Sequence, residues 1–155
     1  MTNAEEKLKN FIKSNNIEAE HIRFDKSLHS VQQLLSVTGL DLDLITKTMI
    51  FVGEETVAAM IPAKFRVSVS KLVDATGIKK LTLASSGEAL EQTGYPVGGM
   101  PCFGYNALLV IDPKVLEKEF VYTGGGSEYS IVKISTKEIL KMNPLIKKIT
   151  GKKSN

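Results

Sequence analysis

Thr93-Gly94-Tyr95-Pro96-Val97-Gly98-Gly99-Met100-Pro101-Cys102-Phe103-Gly104 packs four glycines and two prolines into 12 residues, too many for a plain connector. Glycine lets a backbone approach a partner closely, and proline fixes the path so that exposed N–H and C=O groups stay aimed. Composition alone leaves two readings open: a tight structural loop, or a backbone surface that receives a ligand.

The flanks place this loop between regular elements. On its N-terminal side, Ser85 or Ser86 caps a helix, Glu88 stands where a capping box wants it, and Gly94 ends the helix. On its C-terminal side, residues 107–111 form an apolar run suited to a central strand, and Asp112-Pro113 opens a helical turn. Further upstream, residues 5–15 read as an amphipathic helix with Leu8, Phe11 and Ile12 on one face, followed by a short strand over 20–24. Ser30 caps a helix over 31–38 that Gly39 stops. Residues 45–52 and 56–61 form a β-branched hairpin around Gly53-Glu54-Glu55. Ser68 caps a helix through Ala75, stopped by Gly77, and residues 80–84 give a short strand.

Downstream, strands over 120–123 and 129–135 flank Gly124-Gly125-Gly126-Ser127, and Thr136 caps a last helix to Met142 that Pro144 limits. The end from Lys147 to Asn155, rich in lysine, is expected to fray. Strands with helices between them predict an α/β (α+β) fold: one domain over residues 1–155, a mixed sheet wrapped by helices.

With 155 residues, 43% hydrophobic and 24% charged, the chain has the balance of an ordinary globule. The formal charge of +3 permits contact with nucleic acid without arguing for it. One cysteine, Cys102, excludes an internal disulfide and a thiolate zinc cluster, and His21 and His29 have no metal-ligand spacing. No apolar run approaches the ~20 residues that span a bilayer, and the first residues lack a signal-peptide pattern, so a cytoplasmic protein without a membrane partner is expected. Phosphate-loop, dinucleotide-fold and nucleophile-elbow motifs are absent. Aromatic residues at 6%, with no tryptophan, do not support a stacking platform for single strands.

Three places can carry chemistry. Lys47, in Thr46-Lys47-Thr48 at the start of an apolar strand, must reach solvent or meet an anion, because burying a lone ammonium is costly. The glycine-proline loop is the second. Gly124-Gly125-Gly126 is the third, either a concave run of N–H groups for an oxyanion or an ordinary hairpin turn. Asp41 and Asp43 read as capping and solvated residues. Cys102 reads as a small apolar residue rather than a nucleophile, since no neighbouring cation in the sequence activates it.

In combination, Lys47-Thr48 in an apolar strand, then Thr-Gly-Tyr-Pro-Val-Gly-Gly with Phe-Gly after it, then Gly-Gly-Gly before the last strand, resemble one family. It comprises the YbaK-like deacylases and the editing domains inserted in bacterial prolyl-tRNA synthetases, and the likeness covers about residues 30–140. The resemblance implies a mixed, partly barrel-like sheet surrounded by helices. It also implies hydrolysis of the ester joining a mischarged amino acid to the 3′-terminal adenosine of tRNA, without metal or other cofactor. By the same resemblance Lys47 holds the terminal nucleotide through its phosphate. Gly98 and Gly99 surround the aminoacyl ester, and Gly124, Gly125 and Gly126 line the same pocket. Thr48, Thr93, Met100, Pro101 and Cys102 are assigned with them to substrate binding.

The implied partners are the 3′ acceptor end of a mischarged tRNA and, second, an aminoacyl-tRNA synthetase. Four positions depart from the family pattern: Cys102 where many members have proline, Tyr105 where histidine is frequent, Gly124 where some carry serine, and Lys133 near a common acidic position. A non-catalytic module binding the tRNA end or a synthetase is the alternative. Loss of deacylation in Lys47→Ala, and its retention in Cys102→Ala and in either histidine variant, are the expectations.

Overall fold

Local capping chemistry sets the helices. The computed structural model describes residues 1–154; Asn155 lies outside the described residues. Helix α1 (Asn3–Ser14) starts earlier than its apolar face suggests, because Thr2 and Glu5 form a capping box. Helices α2 (Val31–Thr38), α3 (Val69–Thr76) and α4 (Ser86–Thr93) start from Ser30, Ser68 and Ser85 and end on Gly39, Gly77 and Gly94 in the left-handed region. Helix α5 (Thr136–Leu140) corrects the sequence reading at both ends. Ser135 is its cap, while the Thr136 hydroxyl donates to the carbonyls of Lys118 and Glu119.

The strands are β1 (Ala19–Arg23), β2 (Thr46–Val52), β3 (Val57–Pro62), β4 (Phe65–Val67), β5 (Thr82–Leu83), β6 (Leu108–Ile111), β7 (Phe120–Gly124), β8 (Ser130–Ser135), β9 (Leu145–Ile146) and β10 (Thr150–Lys153). They make three sheets, ordered β1-β8-β7, β10-β4 and β5-β2-β3-β6-β9. The β2–β3 hairpin is antiparallel, whereas β6 runs parallel to both β3 and β9. A bridge between Ile45 and Tyr122 joins the three-stranded sheet to the five-stranded one. The mixed sheet with surrounding helices is therefore the architecture expected.

Strand periodicity distributes the core. Ile50 and Met60 face one way and meet Leu8, Val121, Val132 and Ile139 between the sheets. Phe51 and Ile61 face the other way and pack on Leu72 of α3 and on Ile149. No helix is long and apolar enough to cross a membrane among the described residues.

The C-terminal segment is not frayed. Strand β9 pairs with β6, and β10 pairs with β4, setting Thr150 against Val67 and Lys153 against Phe65. Between the two strands, Ile149 is fully buried, and Asp112 Oδ2 accepts N–H bonds from Ile149 (2.9 Å) and Thr150 (3.0 Å). A lysine-rich composition does not reveal this, because the anchors are one apolar side chain and one distant carboxylate.

Candidate functional site

Strand β2 pairs with β5 only at Phe51 and Val52, so the edge at residues 46–49 is left open. That edge, the loop at 97–100, the end of β7 and the turn at 127–130 enclose a cleft of about 160 Å³. Lys47, Thr48, Gly98, Gly99, Met100 and Gly124 all line it, together with His29, which precedes the Ser30 cap of α2. Of the three places singled out in the sequence, Thr46-Lys47-Thr48 lines the cleft whole, the glycine-proline loop lines it through residues 97–100, and the glycine run through Gly124 alone. A cleft well below the ~300–1,000 Å³ of a drug-sized site has room for one small group.

The glycines divide into two kinds. Gly99 has φ +137°, and a Cβ there would come within 2.5 Å of the Ser127 backbone. A Cβ on Gly124 would strike the Met100 carbonyl oxygen and lie 2.5 Å from Gly99 C. Gly126 N–H donates to Gly99 O at 2.8 Å. These glycines let two backbone segments touch each other, which holds the cleft wall in place. Gly98 is the other kind: a Cβ there would meet only His29 Nδ1 at 3.6 Å. Its N–H has no hydrogen-bond partner among the described residues, so it is a donor available to a ligand.

Lys47 is half-buried, and its Nζ donates to Ser154 Oγ at 3.3 Å. Ser154 Oγ in turn donates to Phe65 O at 3.1 Å. Burial, and then the positive charge of Arg66, hold the ammonium pKa below the ordinary lysine value. The ammonium thus lies against the end of the folded C-terminal segment, on the face of β2 that alternation sets opposite Thr46 and Thr48.

Five residues assigned to substrate binding stand elsewhere. The Thr93 hydroxyl donates to Ala89 O (2.7 Å) and accepts from Tyr95 N (3.0 Å), closing α4. Gly125 N–H donates to Ser130 O at 3.2 Å, and Gly126 N–H is spent on Gly99, so neither is free for an oxyanion. Pro101 O accepts from the Tyr105 hydroxyl at 2.6 Å. Cys102 is buried behind the loop, and burial pushes its thiol up to about 12, which keeps it protonated and unreactive. It lines a larger cavity of about 450 Å³ with Phe11, Phe103 and Tyr105. That cavity holds neither Lys47 nor either loop glycine at 98 and 99, so volume does not identify the site here; convergence of polar groups does.

Sequence reasoning missed Thr123, Ser127, Glu128 and His29, which also line the cleft. His29 Nδ1 lies 3.9 Å from Glu128 Oε2, with the imidazole 72% exposed at the mouth. Only packing brings these together, since 99 positions separate the pair in the chain. Alternation in β7 was the one available signal, for Thr123. No three His, Cys, Asp or Glu side chains converge as a metal-binding set among the described residues.

The aminoacyl-tRNA editing domain family matches residues 25–142, a span that contains Lys47, the loop and all three glycines. The chain belongs to that family. A curated relative of this editing domain, the uncharacterized protein YwhH of Bacillus subtilis (strain 168), is 29% identical over 128 residues, 80% of this chain and 81% of the relative. The crystal structure of hypothetical protein APE2540 superimposes with a TM-score of 0.86 at 27% identity, over 94% of this chain and 99% of that one. A protein proposed as a trans-editing enzyme for prolyl tRNA synthetase gives a TM-score of 0.88 at 20% identity, covering 97% of the editing domain and 99% of its own chain. At that identity the likeness shows the fold alone.

Proposed function

We propose that this editing domain is a trans-acting aminoacyl-tRNA deacylase: water and the ester of a mischarged tRNA give free amino acid and a free ribose hydroxyl. The observation that carries this reading is one cleft joining the Lys47 strand edge to an unengaged Gly98 N–H. Esters of small amino acids, the class to which the Cys- or Ala-tRNA(Pro) type belongs, suit its small volume. A synthetase separates such small side chains poorly, since one methylene is worth only ~1–3 kcal/mol in a pocket.

In this scheme Lys47 exchanges Ser154 for a phosphate at the tRNA 3′ end, a single-charge contact suited to lysine. Water attacks the ester carbonyl carbon, and Gly98 N–H, with Gly99 shaping the loop, receives the oxyanion. One such donor is typically worth ~10²–10³ in rate. The tetrahedral intermediate then expels the ribose oxygen, which takes up the proton that the attacking water gives up. A ribose hydroxyl of the terminal adenosine is assigned the activation of water.

The test is turnover of a panel of mischarged tRNAs. Lys47→Ala is expected to lose deacylation while keeping its fold by circular dichroism, and full activity in that variant would exclude the scheme. A His29→Ala loss beyond ~100-fold, the usual range of a general base, would transfer water activation to that imidazole. Binding of the tRNA end without turnover would select the non-catalytic module.

A further inference from the structure

Two buried hydroxyls beside the cleft lack a partner. Thr48 is 7% exposed and Thr123 is 2% exposed, and neither Oγ1 finds a hydrogen-bond partner by distance and angle. Both face one interior. Thr48 shares a face of β2 with Thr46, whose hydroxyl donates to Tyr122 O at 2.7 Å, and with Ile50. Thr123 shares a face of β7 with Val121. Ile50, Val121, Met100 and Cys102 belong to one buried cluster, and both threonines line the cleft. The polar neighbour of Thr123 is the Cys102 thiol, and sulfur is a weak partner that leaves most of a hydroxyl's capacity unused.

A buried hydroxyl is stable when something completes its hydrogen bonds. Valine matches threonine in shape and carries no such demand, and it is the commoner choice for a strand interior. Two threonines lining one small cleft that apolar Met100 also lines offer a subsite that is half polar and half apolar. Resting on the deacylase reading, we propose that Thr48 and Thr123 recognise the side chain of the esterified amino acid and favour one that ends in a hydroxyl. Within the small class, seryl-tRNA is then the preferred ester over alanyl- and cysteinyl-tRNA. A methyl group in the same place leaves both hydroxyls unpaired, and sites built to hydrogen-bond a substrate hydroxyl discriminate strongly against analogues without it.

The experiment compares kcat/KM on seryl-, cysteinyl- and alanyl-tRNA for the full chain and for Thr48→Val and Thr123→Val. The wild-type protein is expected to favour seryl over alanyl ester by about 10-fold or more. Each valine variant is expected to cut that ratio several-fold, mainly by slowing the seryl reaction. Tm should hold or rise, because an unpaired buried hydroxyl has been removed. Hydrolysis of all three esters with ratios unmoved by either variant would overturn the subsite and leave the deacylase reading standing. A wild-type preference for alanyl-tRNA would do the same. No hydrolysis of any ester would remove both. A fall in Tm for both variants, with ratios unchanged, would mean that the hydroxyls bind within the protein or through water, which also refutes the subsite.

Discussion

Gly98 and Gly99 are neighbours with opposite jobs, and the difference can be measured. Gly99 and Gly124 give up their side chains so that two backbone segments can touch, with contacts a Cβ would bring to 2.5 Å. Alanine at either position is expected to destabilise the fold by roughly 2–5 kcal/mol, from overpacking and, at Gly99, from strained φ as well. Gly98 has neither constraint. Gly98→Ala should stay within about 1 kcal/mol of wild type. Its methyl, however, would stand beside the free N–H and lower kcat/KM by about 10-fold, since small displacements at a reacting centre are costly. Thermal melts and deacylation rates on the three variants separate the roles. A Gly98→Ala protein that melts early and works normally would reverse the assignment. The motif Gly98-Gly99 was visible in the sequence, but that Gly99 is the one pressed against a second backbone segment was decided by Ser127, a residue 28 positions away.

Elements with local causes were legible, and elements with distant causes were not. Ser30, Ser68 and Ser85 announce α2, α3 and α4, and Gly39, Gly77 and Gly94 end them, because a cap lies within a few residues of what it caps. Strand β10 has no such local signature. Its order comes from Asp112, whose carboxylate accepts from the backbone of Lys114, Ile149 and Thr150. Burial pushes the Asp112 carboxyl up, but those N–H groups and the Lys114 ammonium outweigh it and hold the pKa below 3.8. A carboxyl depressed in the folded state contributes stability that is fully present above its unfolded value and is lost as pH falls through the folded one. Acid titration should therefore loosen the C-terminal segment only below about pH 4, the unfolded carboxylate range. Asp112→Asn should bring that loosening to neutral pH at a cost of about 1–3 kcal/mol, the penalty of buried donors left unmatched. Hydrogen exchange at residues 145–154 reads the effect directly. Protection unchanged in the variant at pH 7 would mean that Ile149 and the pairing with β4 hold the strand without the carboxylate.

Over the whole molecule, a net charge of only +3 conceals an uneven distribution. Strands β4 and β10 carry exposed Arg66, Lys152 and Lys153 on the ribbon whose end reaches Lys47 through Ser154. Lys64, beside the same ribbon, is already matched by Asp43 at 2.7 Å. The C-terminal segment thus sets Lys152 and Lys153 beside Arg66 on the ribbon whose end Lys47 touches, and a polyanion lying along it would meet about four cations, Lys47 included. Contacts to single-stranded phosphates release counterions, with a slope in log K against log salt of about −0.7 per contact. For the deacylase reading, log KM for mischarged tRNA should therefore rise with log salt at a slope of up to about 3, while kcat stays level. Arg66→Ala should flatten the slope by about 0.7 without changing the melting temperature, since the side chain is exposed. A slope identical in the variant would mean that the acceptor end approaches Lys47 from the other side, past His29 and Glu128.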